Sequence, residues 1–323
     1  MPSTATKTVS PLWVIIAFAT IYLVWGSTYF FIRTAMEGGI PPFMLGAIRF
    51  TIAGLLMLGW CAIKKEKLFI AGDVITASIT GIMLLFVAIG IVIWSEKTMP
   101  SAVVAILVSS APIWFVVLDK PHWATNFSSK ATIVGLIVGF AGVILLFSDQ
   151  ISGIFKSAGA QSKLPWMLLL VFGTISWSAG SLYSKSKSSV SSASVNTAWQ
   201  MLAAGIVYIP VSFLRGEYKG LKLEAIHASG WLAVIYLIVF GSIAGFSAYV
   251  WLLQVRTATQ VSTYAYINPV IAVILGVVFA GEHISFTQIG GLGIILLSVL
   301  LINLSKYKKG VIKVEKVAVV ENG

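Results

Sequence analysis

Thr259, Ser262, Tyr266 and Pro269 follow one another at spacings of three, four and three, which places them on one face if the apolar stretch holding them is helical. Hydroxyls, a phenol and a proline on an otherwise apolar helix can line a cavity for a small amphiphilic molecule, or bond back to their own backbone in close helix packing. An offset of 157 maps the set onto Ala102, Ala105, Ser109 and Pro112, so a polar strip has a small-residue mate. A second polar face, Thr174, Trp177, Ser181 and Ser184, has Thr20 and Ser27 as its mates. Tyr264 and Asn268 lie on a different face of the stretch holding Ser262, and Trp94 recurs as Trp251 at the offset of 157. The expected small-molecule site therefore comprises Ser27, Ser109, Trp177, Ser181, Trp251, Ser262, Tyr264, Tyr266 and Asn268. Pro112 and Pro269 each remove a backbone donor in midspan, and the kinks expected there are the candidate gates.

Catalysis finds little support in the same residues. Ser27 and Ser181 each follow a glycine, but a hydroxyl nucleophile needs a base within hydrogen-bond reach. The three histidines, His122, His227 and His283, fall in expected loops, and the 11 acidic residues fall in loops, in the tail or at helix ends. The single cysteine, Cys61, has no intrachain partner. No enzyme activity, metal or cofactor is expected. Proton-coupled carriers usually place an ionisable acid or histidine inside a span, so facilitated diffusion or exchange is favoured over proton antiport, with Glu96 the acid closest to contradicting this. Arg49 is the one basic residue left inside a span; it is expected to face protein or water in a structural role, paired with Glu37 or Glu96, or to reach the interface.

These residues sit in an apolar chain. Of 323 residues, 58% are hydrophobic and 10% charged, against about 25% charged in ordinary soluble domains, so an integral membrane protein is implied. The apolar runs are continuous for about twice the ten-residue length of alternating barrel strands, which excludes a transmembrane β-barrel. Boundaries at charges, Pro and Gly give an all-α arrangement of ten spans: 12–33, 42–63, 74–94, 101–118, 131–148, 165–183, 195–214, 231–252, 260–280 and 286–304. The first run carries no convincing cleavage site and is read as a retained helix. The net charge of +11 suggests basic cytoplasmic loops and a basic tail over 305–323 rather than a nucleic-acid partner. With both termini inside, 14 basic residues fall on the cytoplasmic side and seven outside. Glycosylation triplets at Asn126 and Asn303 fall on the cytoplasmic side or at a helix end and are read as accidental. Gly135/Gly139 and Gly241/Gly245 are read as close-packing positions.

Internal repetition orders the spans. Thr20, Ile21, Gly26, Ser27 and Tyr29 recur as Thr174, Ile175, Gly180, Ser181 and Tyr183 at an offset of 154, Pro112 as Pro269 at 157 and Gly54 as Gly205 at 151. Two halves of five spans each, an odd number, must cross the membrane in opposite orientations, and inverted repeats place a substrate near the bilayer midplane between halves that rock.

The stretch Trp25-Gly26-Ser27-Thr28-Tyr29, then Ile32-Arg33, Pro41-Pro42 and Arg49-Phe50, resembles the start of an EamA domain of the drug/metabolite transporter superfamily. Asn268-Pro269-Val270 followed by Gly281-Glu282 is similar to that family's ninth-helix proline and Gly-Glu turn. The first half departs from the pattern, with Leu118-Asp119-Lys120 at the Gly-Glu position. The resemblance covers two tandem domains, 12–148 and 165–304, and implies a ten-helix inner-membrane carrier with a central cavity and a lean toward export. Few buried charges beside aromatics and hydroxyls suit small uncharged or zwitterionic metabolites such as amino acids. The bilayer and a small-molecule substrate are the expected partners, with the chain a monomer or homodimer. A channel or purely structural membrane protein is the rival reading, although a channel calls for a polar pore or charged rings.

Overall fold

A computed structural model describes residues 10–99, 101–148, 160–187, 189–219, 221, 223–280 and 285–302. Every regular element among them is helical. In chain order they are α1 (Pro11–Glu37), α2 (Pro42–Ile63), α3 (Ala71–Ser95), α4 (Ser101–Val108), α5 (Ala111–Leu118), α6 (Trp123–Phe127), α7 (Lys130–Leu146), α8 (Ala160–Ser186), α9 (Ala193–Leu214), α10 (Ala228–Val255), α11 (Ala258–Val261), α12 (Tyr264–Ala280) and α13 (Phe286–Ile302). The Gly281-Glu282 turn and the basic tail lie outside the described residues.

Seven of these stretches are long and apolar enough to cross a bilayer, the last running through α11 into α12, and the bent pair Val104–Leu118 plus Lys120–Phe127 makes an eighth. The ten expected spans are thus not all present at full length among the described residues. α7 and the Phe286–Ile302 helix are apolar but short, about 25 Å each at 1.5 Å per residue, against roughly 30 Å of hydrocarbon. Large apolar side chains face outward along the long helices. On α2, Leu55, Leu56, Trp60 and Ile63 are exposed while Ala53, Gly54, Met57 and Cys61 are buried. Small residues inside and large apolar ones outside suit a lipid solvent, where association rests on close packing rather than on water exclusion.

Two stretches depart from plain α geometry. Ile82–Ala88 within α3 and Leu237–Ala244 within α10 are π-helical, a form that is rare and concentrates at functional sites. The expected span 101–118 is broken at Ser109-Ser110, so Pro112 lies in the first turn of α5 rather than within a continuous helix, where its missing N–H costs little. Pro269 does lie inside a helix, α12.

The chain forms two compact units, 1–81 with 187–257 and 82–186 with 258–323. In the first, the contact between α2 and α9 is made by glycines. A methyl added at Gly54 would stand 2.7 Å from the Leu202 nitrogen, and one at Gly205 would stand 2.5 Å from the Thr51 nitrogen. The two helices run antiparallel, because acids cap them at opposite ends. Glu217, just past α9, accepts from Phe43 N at 3.2 Å and Met44 N at 2.8 Å at the start of α2. Glu66, just past α2, accepts from the hydroxyl of Ser192, the N-cap residue of α9. A carboxylate at a helix start satisfies orphan N–H groups and the positive end of the helix dipole.

In the second unit, α7 packs by its glycines. Methyls at Gly135 and Gly139 would come within 2.6 Å of Ile302 Cγ1 and Ser298 Oγ respectively. α8 lies on the π segment of α3, where a methyl at Gly180 would stand 2.9 Å from Met83 Cβ.

Candidate functional site

The first unit holds a polar cluster around the π segment of α10. Trp25 Nε1 of α1 donates to the Gly241 carbonyl at 3.1 Å, and its ring lies 5.0 Å from that of Tyr249. Ser27 shares a 2.7 Å hydrogen bond with the Tyr236 hydroxyl and also contacts the Val24 carbonyl at 2.7 Å. Tyr236 in turn stacks on Phe31 with centroids 3.7 Å apart. Arg49 is buried at 5% exposure, donates from Nε to Ser242 Oγ at 2.7 Å, and lies over the Phe50 ring at 4.9 Å. Neither carboxylate expected for it is its partner: Glu37 is held by Arg33 at 2.8 Å, and no ion pair among the described residues joins Arg49 to Glu96. Trp251, on α10, is half-buried.

The remaining candidates belong to the second unit. Trp177 and Tyr264 meet edge to face, centroids 6.5 Å apart. Ser181 donates to the Trp177 carbonyl at 2.7 Å, and Ser262 donates to the Thr259 carbonyl at 2.9 Å. Tyr266 is fully buried and donates its hydroxyl to the Leu136 carbonyl of α7 at 2.9 Å. These hydroxyl protons are directed at backbone carbonyls, which leaves the oxygens as acceptors. Asn268, at 4% exposure, has its Oδ1 buried with no hydrogen-bond partner among the described residues. An unpaired buried carbonyl of this kind costs roughly 1–3 kcal/mol, and it makes Asn268 a strong acceptor for an incoming donor.

Ser109 serves the helix around Pro269. Its hydroxyl lies 2.7 Å from the carbonyls of Ala105 and Ala265, so one proton is shared between them. The Ala265 carbonyl is the one that residue 269 would bond in an unbroken helix, and proline there has no N–H to give. The Ser109 hydroxyl replaces it. Ser109→Ala is expected to cost roughly 0.6–1.7 kcal/mol, the range for interhelical hydrogen bonds in membranes. In a Pro269→Ala background, where an N–H is restored, that cost should fall toward zero. Equilibrium unfolding in mixed micelles measures the coupling, and equal costs in the two backgrounds would break the link.

Sequence reasoning passed over Tyr236, Ser242 and Gln200, the last with a buried Oε1 that has no hydrogen-bond partner among the described residues. Polar residues in midspan were the available signal, but these three fall outside the repeated faces that guided the choice of candidates.

A model of the EamA-like transporter family matches residues 12–148 and 164–304. The chain is 36% identical over 294 residues, covering 90% of each sequence, to the Escherichia coli K12 protein described as the uncharacterized inner membrane transporter YedA. It is 24% identical over 289 residues to protein PecM of Dickeya dadantii, covering 86% of this chain and 88% of PecM. A solved crystal structure superposes with a TM-score of 0.72 at 20% identity, covering 91% of this chain and 98% of its own, which shows a shared fold. With two tandem matches spanning most of its length, the chain belongs to the EamA-like transporter family.

Proposed function

We propose that this chain moves small metabolites, amino acids or related amphiphilic compounds, across the inner membrane by alternating access, as an exporter working by facilitated diffusion or exchange. Its frame is ten spans in two inverted five-helix repeats, 12–148 and 165–304, with both termini and the 305–323 tail cytoplasmic. Beside the eight stretches already described, the apolar helices α7 and Phe286–Ile302, each shorter than a full span, support this proposed count.

The observation that carries this reading is the reciprocity of contacts between repeat mates. Gly54 meets Leu202 while Gly205 meets Thr51, and an offset of 151 turns one contact into the other. The same offset exchanges Glu66 with Glu217 and the start of α2 with the start of α9. A contact that maps onto itself when partners are exchanged is the signature of a twofold axis, and antiparallel mates are what an inverted repeat requires. The π segments agree: each lies in the third helix of its repeat and receives a side-chain donor from the first helix of the other, Trp25 to Gly241 and Ser176 to Met83. In the second unit Trp177, Tyr264, Tyr266 and Asn268 with Ser109, Ser181 and Ser262 offer aromatic surface and acceptors; in the first unit Ser27 and Trp251 are the proposed substrate-binding residues. Pro112 and Pro269, beside broken helices, are the proposed gates.

Full-length protein in proteoliposomes loaded with an amino-acid mixture should show saturable counterflow of labelled amino acid with no ohmic conductance. Conductance without counterflow would support a channel instead. Proton antiport is the second reading, favoured by Glu96, whose carboxylate oxygens at the end of α3 are shielded from solvent. Exchange in Glu96→Gln is expected to stay within about twofold of wild type, since a carboxyl that carries no obligatory proton is replaced by its neutral isostere. Accumulation driven by a pH gradient and lost in Glu96→Gln would establish antiport.

A further inference from the structure

Among the described residues Arg49 is a buried cation with no anion paired to it. Its Nε is held by Ser242, and no hydrogen bond among the described residues engages Nη1 or Nη2. The acids of the same unit are occupied or exposed: Glu37 is on Arg33, Glu66 on Ser192, Asp73 on the N–H groups of Val190 and Ser191, Glu217 on the start of α2, and Glu224 is exposed. A guanidinium stays protonated at any accessible pH. Charged groups inside spans are rare, and they pair with partners or mark substrate paths.

The surroundings fix how the fork is presented. Ser242 holds one edge of the guanidinium, and Phe50 supports its face at 4.9 Å. Residue 241 is glycine where a methyl would stand 2.8 Å from Nη2 and 3.3 Å from Thr28 Cγ2, so a side chain there would press on the fork. Trp25 is fixed on the Gly241 carbonyl beside it.

We propose that Arg49 is the carboxylate-binding group of the substrate site, so that the transported compounds are monocarboxylates with an apolar or aromatic body. This rests on the transport reading above and narrows its substrate class. Two parallel N–H groups on Nη1 and Nη2 match the two oxygens of a carboxylate. A single cation among aromatic rings neutralises one negative charge, whereas a phosphate dianion calls for more than one.

The test is thermal unfolding of detergent-solubilised full-length protein with millimolar L-phenylalanine, L-leucine or L-tryptophan, each against its carboxamide. At least one acid should raise the unfolding temperature and its amide should not. Arg49→Gln should weaken acid binding about 10–100-fold, the equivalent of a charge-assisted hydrogen bond, and Arg49→Lys should retain part of it. Ser242→Ala, which keeps the charge, should weaken it several-fold, read as the ligand-induced shift from that variant's own ligand-free unfolding temperature, which keeps the proposal open to refutation if Arg49→Gln does not fold. The proposal is overturned if no acid stabilises the wild type, if amides bind as well as acids, or if the Arg49 and Ser242 variants keep the discrimination. Phosphatidylglycerol in mixed micelles is the competing oxyanion: stabilisation by this lipid that needs Arg49, with none by the acids, overturns the proposal in favour of a headgroup site. Counterflow of the amides with no preference for acids defeats the Arg49 role but leaves transport standing. Absence of all counterflow beside intact acid-selective stabilisation defeats the transport reading alone.

Discussion

Tyr266→Ala should lower the unfolding free energy by about 3–5 kcal/mol, the range for large aromatic truncations in a core. The ring is fully buried between α12 and α7, and it occupies the space that a side chain at position 139 would need: a methyl there would stand 2.7 Å from the ring. Gly139 leaves nothing to expand into the void. Tyr266→Phe keeps the ring and loses only the bond to the Leu136 carbonyl, which still has its own helical N–H, so its cost should be about 1 kcal/mol or less. The pair separates packing from binding. Unfolding in mixed micelles reads the first, and the KM for counterflow of Tyr266→Phe reads the second. A KM shift in a protein of near wild-type stability would place the phenol at the substrate, whereas an unchanged KM would remove Tyr266 from the site and leave it a packing residue.

The helices that face lipid were legible because apolar runs bounded by charge and proline announce them. The expected 42–63 is found as Pro42–Ile63, and 195–214 as Ala193–Leu214. The π segments were invisible, since one extra residue in a turn leaves a continuously apolar run unchanged in composition. The break at Ser109-Ser110 left a single trace, Pro112, which reads equally as a kink inside a helix or as the first turn of a new one. For the candidate site, periodicity grouped residues on their own helices but carried no information about partners on others. Ser27 and Tyr236 are 209 residues apart, and Arg49 and Ser242 are 193 apart. The repeat offsets came closest to predicting such contacts, because α2 and α9, mates at the offset of 151, pack on each other. Even so, the compact units cut across the repeats, each drawing helices from both halves.

Gly54→Leu and Gly205→Leu should each prevent the close approach of α2 and α9, with losses above the roughly 1–3 kcal/mol of ordinary overpacking. The reason is that backbone stands in the way at both positions, joined at Gly205 by the Thr51 hydroxyl. A methyl at Gly54 meets Leu202 N at 2.7 Å and Cα at 2.9 Å, and one at Gly205 meets Thr51 N at 2.5 Å and Cα at 2.9 Å. Real Cβ atoms do not approach so closely, so the helices must separate. Separation also disturbs the end caps, because Glu66 and Glu217 reach the starts of α9 and α2 only while the helices lie in register. Since the two glycines are mates with mated neighbours, the milder variants Gly54→Ala and Gly205→Ala should lower stability by similar amounts, within about 1 kcal/mol of each other, and together they should be less than additive because one displacement relieves both clashes. Folded yield after detergent extraction and unfolding in mixed micelles measure these effects. Strongly unequal single effects, or strict additivity, would show that the two contacts do not behave as one reciprocal pair, and would take away the main support for an inverted repeat.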